Sequence, residues 1–257
     1  MGLLLDRFGI DAVFVEKSPT TTDHPKSRGC WVRTMEIFRQ WGIEQAIRDR
    51  GLQDDSDMFV QVESIAGREI SRSRPEPNLG QTPAWKCLVA QDAVEEEIYR
   101  VIEHSNLVQV QFSTEFVDFE GVEDGVICEI RSVETGRSER WHARYLLACD
   151  GAGGQTRRAA GIDMVGPACL SVLQNEYWRA DLSRFPLARE AAGYQVYSKA
   201  PGVPPRAGIL NTNGRDRWLS IIQIGEQKDD RPRPWTDAEM IEIIVGKPSL
   251  IAAIRAS

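Results

Sequence analysis

Residues 145–157 read Tyr145-Leu146-Leu147-Ala148-Cys149-Asp150-Gly151-Ala152-Gly153-Gly154-Gln155-Thr156-Arg157. The uninterrupted apolar run predicts a strand buried on both faces, as in a parallel sheet, with Asp150 at its carboxyl end. The glycines let backbone approach a ligand closely, and the helix expected over 155–160 would offer free N–H groups to an anion. The same letters also describe an ordinary tight strand-to-helix loop, and both readings stay open on this stretch alone.

A second strand end lies near the start of the chain. Leu3, Leu4, Leu5 and Phe8 lie on one side of a helix that Gly9 can close in the left-handed conformation. Ala12-Val13-Phe14-Val15 then reads as a buried strand that ends in Glu16. A helix, a strand and an acid at the strand's end form the second half of a dinucleotide-binding βαβ unit, whose acid accepts hydrogen bonds from ribose hydroxyls. The first half, a strand and G-x-G-x-x-G about 20 residues before the acid, has no counterpart among the residues before Glu16. Glu16 therefore reads either as a ribose acceptor or as a simple strand terminus.

Between and beyond these ends the chain alternates. A polar loop is expected over 17–29, helices over Arg33–Trp41 and Ile43–Arg50, a β pair within 58–73 and a Pro-rich loop over 74–84. A helix starts at Gln91, with Val94, Ile98, Val101 and Ile102 on one face. Strands follow over Leu107–Phe112, Glu115–Phe119, Val126–Val133 and Arg140–Ala143, the last two joined at Glu134-Thr135-Gly136-Arg137. From Cys169 onward longer strands are expected, over Cys169–Asp181, Tyr194–Lys199, Gly208–Thr212 and Trp218–Ile224. Thr236 and Glu239 then have capping-box spacing ahead of a helix. The run 228–234 reads as a solvated loop.

Composition narrows the classes. Of 257 residues, 42% are hydrophobic and 27% charged, which suits a folded chain, and the net charge of -7 argues against a surface built for nucleic-acid phosphates. The five cysteines include no C-x-x-C, and His24, His104 and His142 share no metal-ligand spacing, so no metal site is expected. No stretch has the length of a signal core or a membrane span, which leads us to expect a reduced, cytoplasmic protein. The seven tryptophans and Cys149 read as packing residues, and Glu95-Glu96-Glu97 as a solvated helix face.

Taken together, these stretches resemble the group A flavin-dependent aromatic hydroxylases, which have the p-hydroxybenzoate hydroxylase fold, and within them the phenol and polyketide branch. The resemblance rests on Val13-Phe14-Val15-Glu16-Lys17; on His24-Pro25-Lys26-Ser27 with Arg33-Thr34-Met35-Glu36 and Gly42-Ile43; on Gln91 with Glu95; and on Leu146–Gly153 with Arg157. Tyr177-Trp178-Arg179-Ala180-Asp181-Leu182 also looks like the start of the family's substrate sheet.

The resemblance implies an α/β fold: an incomplete, Rossmann-like FAD-binding domain over 1–57 and 87–167, interleaved with a β-rich substrate domain over 58–86 and 168–257. It implies FAD as cofactor, NAD(P)H as transient co-substrate, molecular oxygen and a small phenolic or polyketide-like aromatic substrate, and hydroxylation through a flavin C4a-hydroperoxide. On this likeness Glu16, Lys17, Arg33, Gln91, Asp150, Gly151 and Arg157 match cofactor-binding positions, and Tyr194 and Tyr197 fall on strands expected to face substrate. Lys17 stands where the family has Arg, keeping charge but not the fork, and Gly154 stands where it has Ser. The first strand with its glycine loop and a later Gly-Asp motif are missing. The expectation is therefore an internal segment of a longer hydroxylase that alone binds FAD poorly and is inactive. A flavin reductase or epoxidase of the same fold, and a non-enzymatic fragment or one half of a split protein, are the alternatives.

Overall fold

A computed structural model describes residues 1–25, 27–52, 58–75, 77–197, 207–225 and 234–246. Lys26, Lys199 and the expected loop up to residue 233 lie outside the described residues. In chain order the elements are α1 (Gly2–Arg7), β1 (Ala12–Val15), β2 (Arg28–Cys30), α2 (Val32–Gln40), α3 (Glu44–Arg50), β3 (Phe59–Val62), β4 (Glu69–Arg72), β5 (Cys87–Ala90) and α4 (Gln91–Ile102). They continue with β6 (Val108–Gln111), β7 (Thr114–Val122), β8 (Gly125–Ser132), β9 (Ser138–Ala143), α5 (Gln155–Ala159) and β10 (Val172–Arg179). A 3-10 turn (Pro186–Arg189), β11 (Gly193–Val196), β12 (Ala207–Asn211), β13 (Arg217–Gly225) and α6 (Asp237–Val245) complete the described chain.

The chain divides into two compact units, 1–22 with 98–166, and 23–97 with 167–257. In the first, α1 ends as the sequence suggests: Gly9 has φ +69°, and Ile10 N–H returns to Leu5 O. The helix lies so close to its neighbours that a Cβ on Gly2 would come within 2.8 Å of Ile102 Cδ1 and 3.4 Å of Phe14 and Val108. β1 pairs in parallel with β6, Ala12 opposite Val108 through Val15 opposite Gln111. A meander of β7, β8 and β9 follows, with Val126, Cys128 and Ile130 buried at alternate positions of β8.

The second unit holds a six-stranded sheet in the order β10-β13-β12-β11-β3-β4, antiparallel except for the parallel β11–β3 contact. Its inner face carries Val60, Val62, Tyr194, Val196, Ile209, Trp178, Trp218 and Ile222, packed with α6 residues Met240, Ile241, Ile244 and Val245. The two indoles stack with centroids 6.4 Å apart, and Trp218 Nε1 donates to Ala180 O. The expected capping box is present: Thr236 Oγ1 accepts from Glu239 N–H while Glu239 returns to Thr236 N–H, an arrangement worth about 1 kcal/mol. Glu96 and Glu97 of α4 receive Arg50, at 2.5 and 3.4 Å.

Two expected elements fail, and Trp31, expected as a packing residue, is 66% exposed. Residues 145–149 form no strand and are mostly exposed: Tyr145 is 80% and Leu147 54% accessible, and Cys149 is exposed rather than buried. A parallel strand gains its burial from neighbours on both sides, and among the described residues no strand pairs with this segment. Conversely, the loop expected over 17–29 runs into β2 from Arg28, which pairs antiparallel with β5.

Candidate functional site

Glu16 follows β1 directly, its backbone fixed by Glu16 N–H to Gln111 O and Thr114 N–H to Glu16 O at 2.9 and 3.0 Å. The side chain is exposed, and Oε1 accepts Ser18 N–H at 2.8 Å. Lys17, also exposed, adds a cation beside it. An exposed carboxylate at the carboxyl end of a parallel strand is the acceptor expected for ribose hydroxyls.

The turn after residue 149 belongs to the same unit. Gly151 has φ +75°, which an L side chain rarely adopts, and a Cβ at Gly151 or Gly153 would meet nothing within 4 Å, so this turn is open on its outer side. Asp150 folds back over its own turn: Oδ2 accepts Thr156 N–H at 2.8 Å, capping α5. That backbone bond, aided by the Thr156 hydroxyl, holds the Asp150 carboxyl below its usual range. A Cβ on Gly154 would fall 2.4 Å from Asp150 Oδ1, so the glycine in place of serine and the folded-back carboxylate go together. Arg157 Nη1 donates to Ile162 O, whereas its Nε is buried with no partner among the described residues.

The remaining positions lie in the second unit. Arg33 stands exposed in the first turn of α2 and reaches Glu36 Oε2 at 3.0 Å. Glu36 also accepts the Thr82 hydroxyl, and the two bonds hold its carboxyl below the usual range. Gln91 opens α4 with its N–H on Ser27 O and its Nε2 on Glu95 Oε1, at 2.9 and 2.6 Å. Tyr194 is 1% exposed on the inner face of the sheet; its hydroxyl donates to Leu187 O and accepts Ala191 N–H, and burial pushes the phenol up to about 12. Tyr197, three residues on and 44% exposed, follows β11 in the alternation of the opposite face, with its N–H on Val62 O.

That opposite face carries residues the sequence did not single out as site residues. Tyr177, Leu219, Leu210, Gly193 and Phe59 form one register row across five strands. A Cβ on Gly193 would sit 2.6 Å from the Phe59 ring. Arg28 lies over Phe59, 5.6 Å from its centroid, and donates to Asn211 O at 3.0 Å and to Ala192 O. The His24 ring meets Tyr177 edge-on at 6.0 Å. Arg217 Nη1 lies 3.4 Å from Tyr177 Oη and 3.6 Å from Asp92 Oδ2; the Tyr177 bond first, then the carboxylates of Asp92 and Asp216, raise the guanidinium above its ordinary range. Asp92 Oδ1 is buried without a partner among the described residues. Period-2 alternation around Tyr177 was the available signal; nothing in the sequence linked it to His24, Arg28 or Asp92.

Among the described residues no group of His, Cys, Asp and Glu could hold a metal, and no helix is long and apolar enough to cross a membrane. The residues present fit an organic, ribose-bearing cofactor: an exposed acid ends a parallel strand, an open glycine turn stands in the same unit, and Arg157 retains an unspent donor.

Comparison with known proteins agrees with this chemistry. The model of the FAD binding domain family matches residues 1–249. The aklavinone 12-hydroxylase DnrF of Streptomyces peucetius subsp. caesius is 29% identical over 98% of the chain and 53% of its own length. A putative polyketide hydroxylase of Streptomyces coelicolor is 34% identical over 65% of the chain and 28% of its own. The flavin-dependent monooxygenase PieE, solved with FAD and substrate, superposes with a TM-score of 0.84 at 24% identity, over 100% of this chain and 45% of that one. The rebeccamycin biosynthetic enzyme RebC with reduced flavin superposes with a TM-score of 0.77 at 25% identity, over 96% and 46%. The chain spans about half the length of DnrF and of these two solved chains. By the match of residues 1–249 to the family model, the chain belongs to the FAD binding domain family, among relatives that are aromatic and polyketide hydroxylases.

Proposed function

We propose that this chain is the FAD-binding and substrate-sheet portion of a monooxygenase that hydroxylates a phenolic or polyketide-like aromatic ring at the expense of NAD(P)H and molecular oxygen. The observation that carries the proposal is the family match over residues 1–249, joined to an exposed Glu16 at the end of a parallel strand. Bound FAD supplies the redox and oxygen chemistry. The chain's own residues bind and orient. Glu16 accepts ribose hydroxyls, and Lys17 places positive charge beside them. The open turn at Gly151 and the free donor of Arg157 receive the polar chain of the cofactor. In the second unit Arg33, held by Glu36, and Gln91, at the start of α4, are further cofactor-binding positions. The division into a cofactor domain over 1–57 and 87–167 and a substrate domain over 58–86 and 168–257 belongs to this proposal, as does a cytoplasmic setting. Support for an aromatic substrate comes from the row Tyr177, Leu219, Leu210 and Phe59, an apolar strip edged by Arg217, Arg28 and His24.

Oxygen uptake tests this in a protein that joins the chain to the part of its relatives it does not span. A product heavier by one oxygen atom, dependent on NADH or NADPH, is expected. Pyridine nucleotide oxidation without an oxygenated product would shift the reading to a reductase. Absence of any flavin binding would overturn it in favour of a non-enzymatic or split-protein role.

A further inference from the structure

The five cysteines are scattered in the sequence, yet two of them meet. β2 and β5 pair antiparallel with Cys30 directly opposite Cys87, and both cysteines are buried and outside any disulfide. Residues opposed in an antiparallel pair have Cα atoms about 4.5 or 5.5 Å apart, depending on the hydrogen-bonding position. Disulfides span Cα separations of about 4.4–6.8 Å, so either position lies within range. Opposed side chains share a face of the ladder. The register shifts by one between Arg28 and Cys30, an irregularity that bends and twists a strand and gives it room to adjust. Gly51 leaves space for the Cys87 sulfur: a Cβ there would lie 2.5 Å from Sγ.

The position gives the pair leverage. Cys30 precedes Arg33 by three residues, and Cys87 precedes Gln91 by four. The strand pair thus sets the separation of the starts of α2 and α4.

We propose that Cys30 and Cys87 form a reversible cross-strand disulfide under peroxide, making β2–β5 a redox-sensitive clamp beneath Arg33 and Gln91. One thiolate attacks hydrogen peroxide; its S–O bond forms as the O–O bond breaks, and water leaves with a sulfenic acid in place. The opposed thiol then attacks that sulfur; the S–S bond forms, the S–O bond breaks and a second water leaves. Two thiols and one peroxide give one disulfide and two waters. Burial pushes the Cys30 thiol up to about 11, which keeps that thiol protonated at neutral pH and places closure on the slow scale of uncatalysed thiol chemistry. The bond closes a loop that holds α2, α3, β3 and β4, so it restricts the unfolded chain.

The test uses the folded 257-residue chain, incubated with hydrogen peroxide and digested without reduction. The expected result is a peptide pair joining Cys30 to Cys87, loss of two thiols, recovery with dithiothreitol, and a urea midpoint that rises on oxidation. In Cys30→Ser and Cys87→Ser that rise should disappear. The proposal is overturned if both cysteines remain alkylatable after unfolding while only the exposed Cys149 is oxidised, or if the linkages scatter over Cys128 and Cys169. The wild-type peptide map decides even where a serine variant fails to fold. It requires no flavin, so its outcome is separate from that of the hydroxylase reading.

Discussion

Asp150 shows how one side chain can be constrained from two directions. Its Oδ2 satisfies Thr156 N–H, one of the donors that the start of a helix leaves unpaired, and the missing Cβ of Gly154 makes that posture possible. Gly154→Ser, which restores the residue common in the resembling family, should push the carboxylate out and destabilise the fold by about 1–3 kcal/mol of overpacking, read from urea unfolding. The linkage also has a sign. The folded carboxyl titrates below its ordinary value, so its contribution is fully present above the unfolded pKa and disappears as pH falls through the folded one. Asp150→Asn should therefore lower stability at neutral pH, where the ionised cap contributes, and flatten the acid limb below about pH 4; an unaltered acid limb would contradict the cap. The glycine-and-acid turn itself was legible in the sequence, because glycine and aspartate carry backbone information directly. Which way the carboxylate points was not, since that depends on a single absent methyl group.

Elements were legible where a period or a cap marks them. α2, α4 and α6 stand out by apolar spacing and by Thr236 with Glu239, and the strands of the two meanders by alternation. β2 escaped notice because three residues around Gly29 carry no period, and its stability comes from β5, far along the chain. Residues 145–149 misled in the opposite sense: apolar letters promised burial that only flanking strands could provide. Tyr194 and Tyr197, both expected on strands facing substrate, are separated by strand alternation, which buries Tyr194 in the core. Tyr194→Phe should cost about 1–2 kcal/mol in chemical denaturation, because Leu187 O and Ala191 N–H lose a partner in the core. Arg217 ties β13 to α4 through Asp92. Arg217→Ala should destabilise by about 1–3 kcal/mol, since Asp92 keeps a buried carboxylate with neither oxygen answered by Arg217. Combining it with Asp92→Ala should cost less than the sum of the two single changes; simple additivity in that cycle would show that the pair is not coupled.

At the scale of the whole chain the question is how much cofactor affinity these parts can hold. FAD is long, and its pyrophosphate is ordinarily met by a glycine loop at a helix N-terminus. No G-x-G-x-x-G occurs anywhere in these 257 residues. What the described unit offers in its place is one strand-end acid, one cation beside it, an open glycine turn and the unspent Nε of Arg157. Each charged hydrogen bond contributes about 1.5–3 kcal/mol. Two or three of them fall short of the roughly 8.2 kcal/mol that micromolar binding requires, once the ordering of a flexible ligand is subtracted. The chain alone should therefore bind FAD with a Kd weaker than about 1 µM, measured by quenching of flavin fluorescence. Glu16→Ala should weaken it by a further factor of about 10 or more, as loss of a charged acceptor predicts. Tight submicromolar binding, or indifference to Glu16, would mean that the adenosine end is held by other groups. The strand-end acid would then be only the terminus of β1.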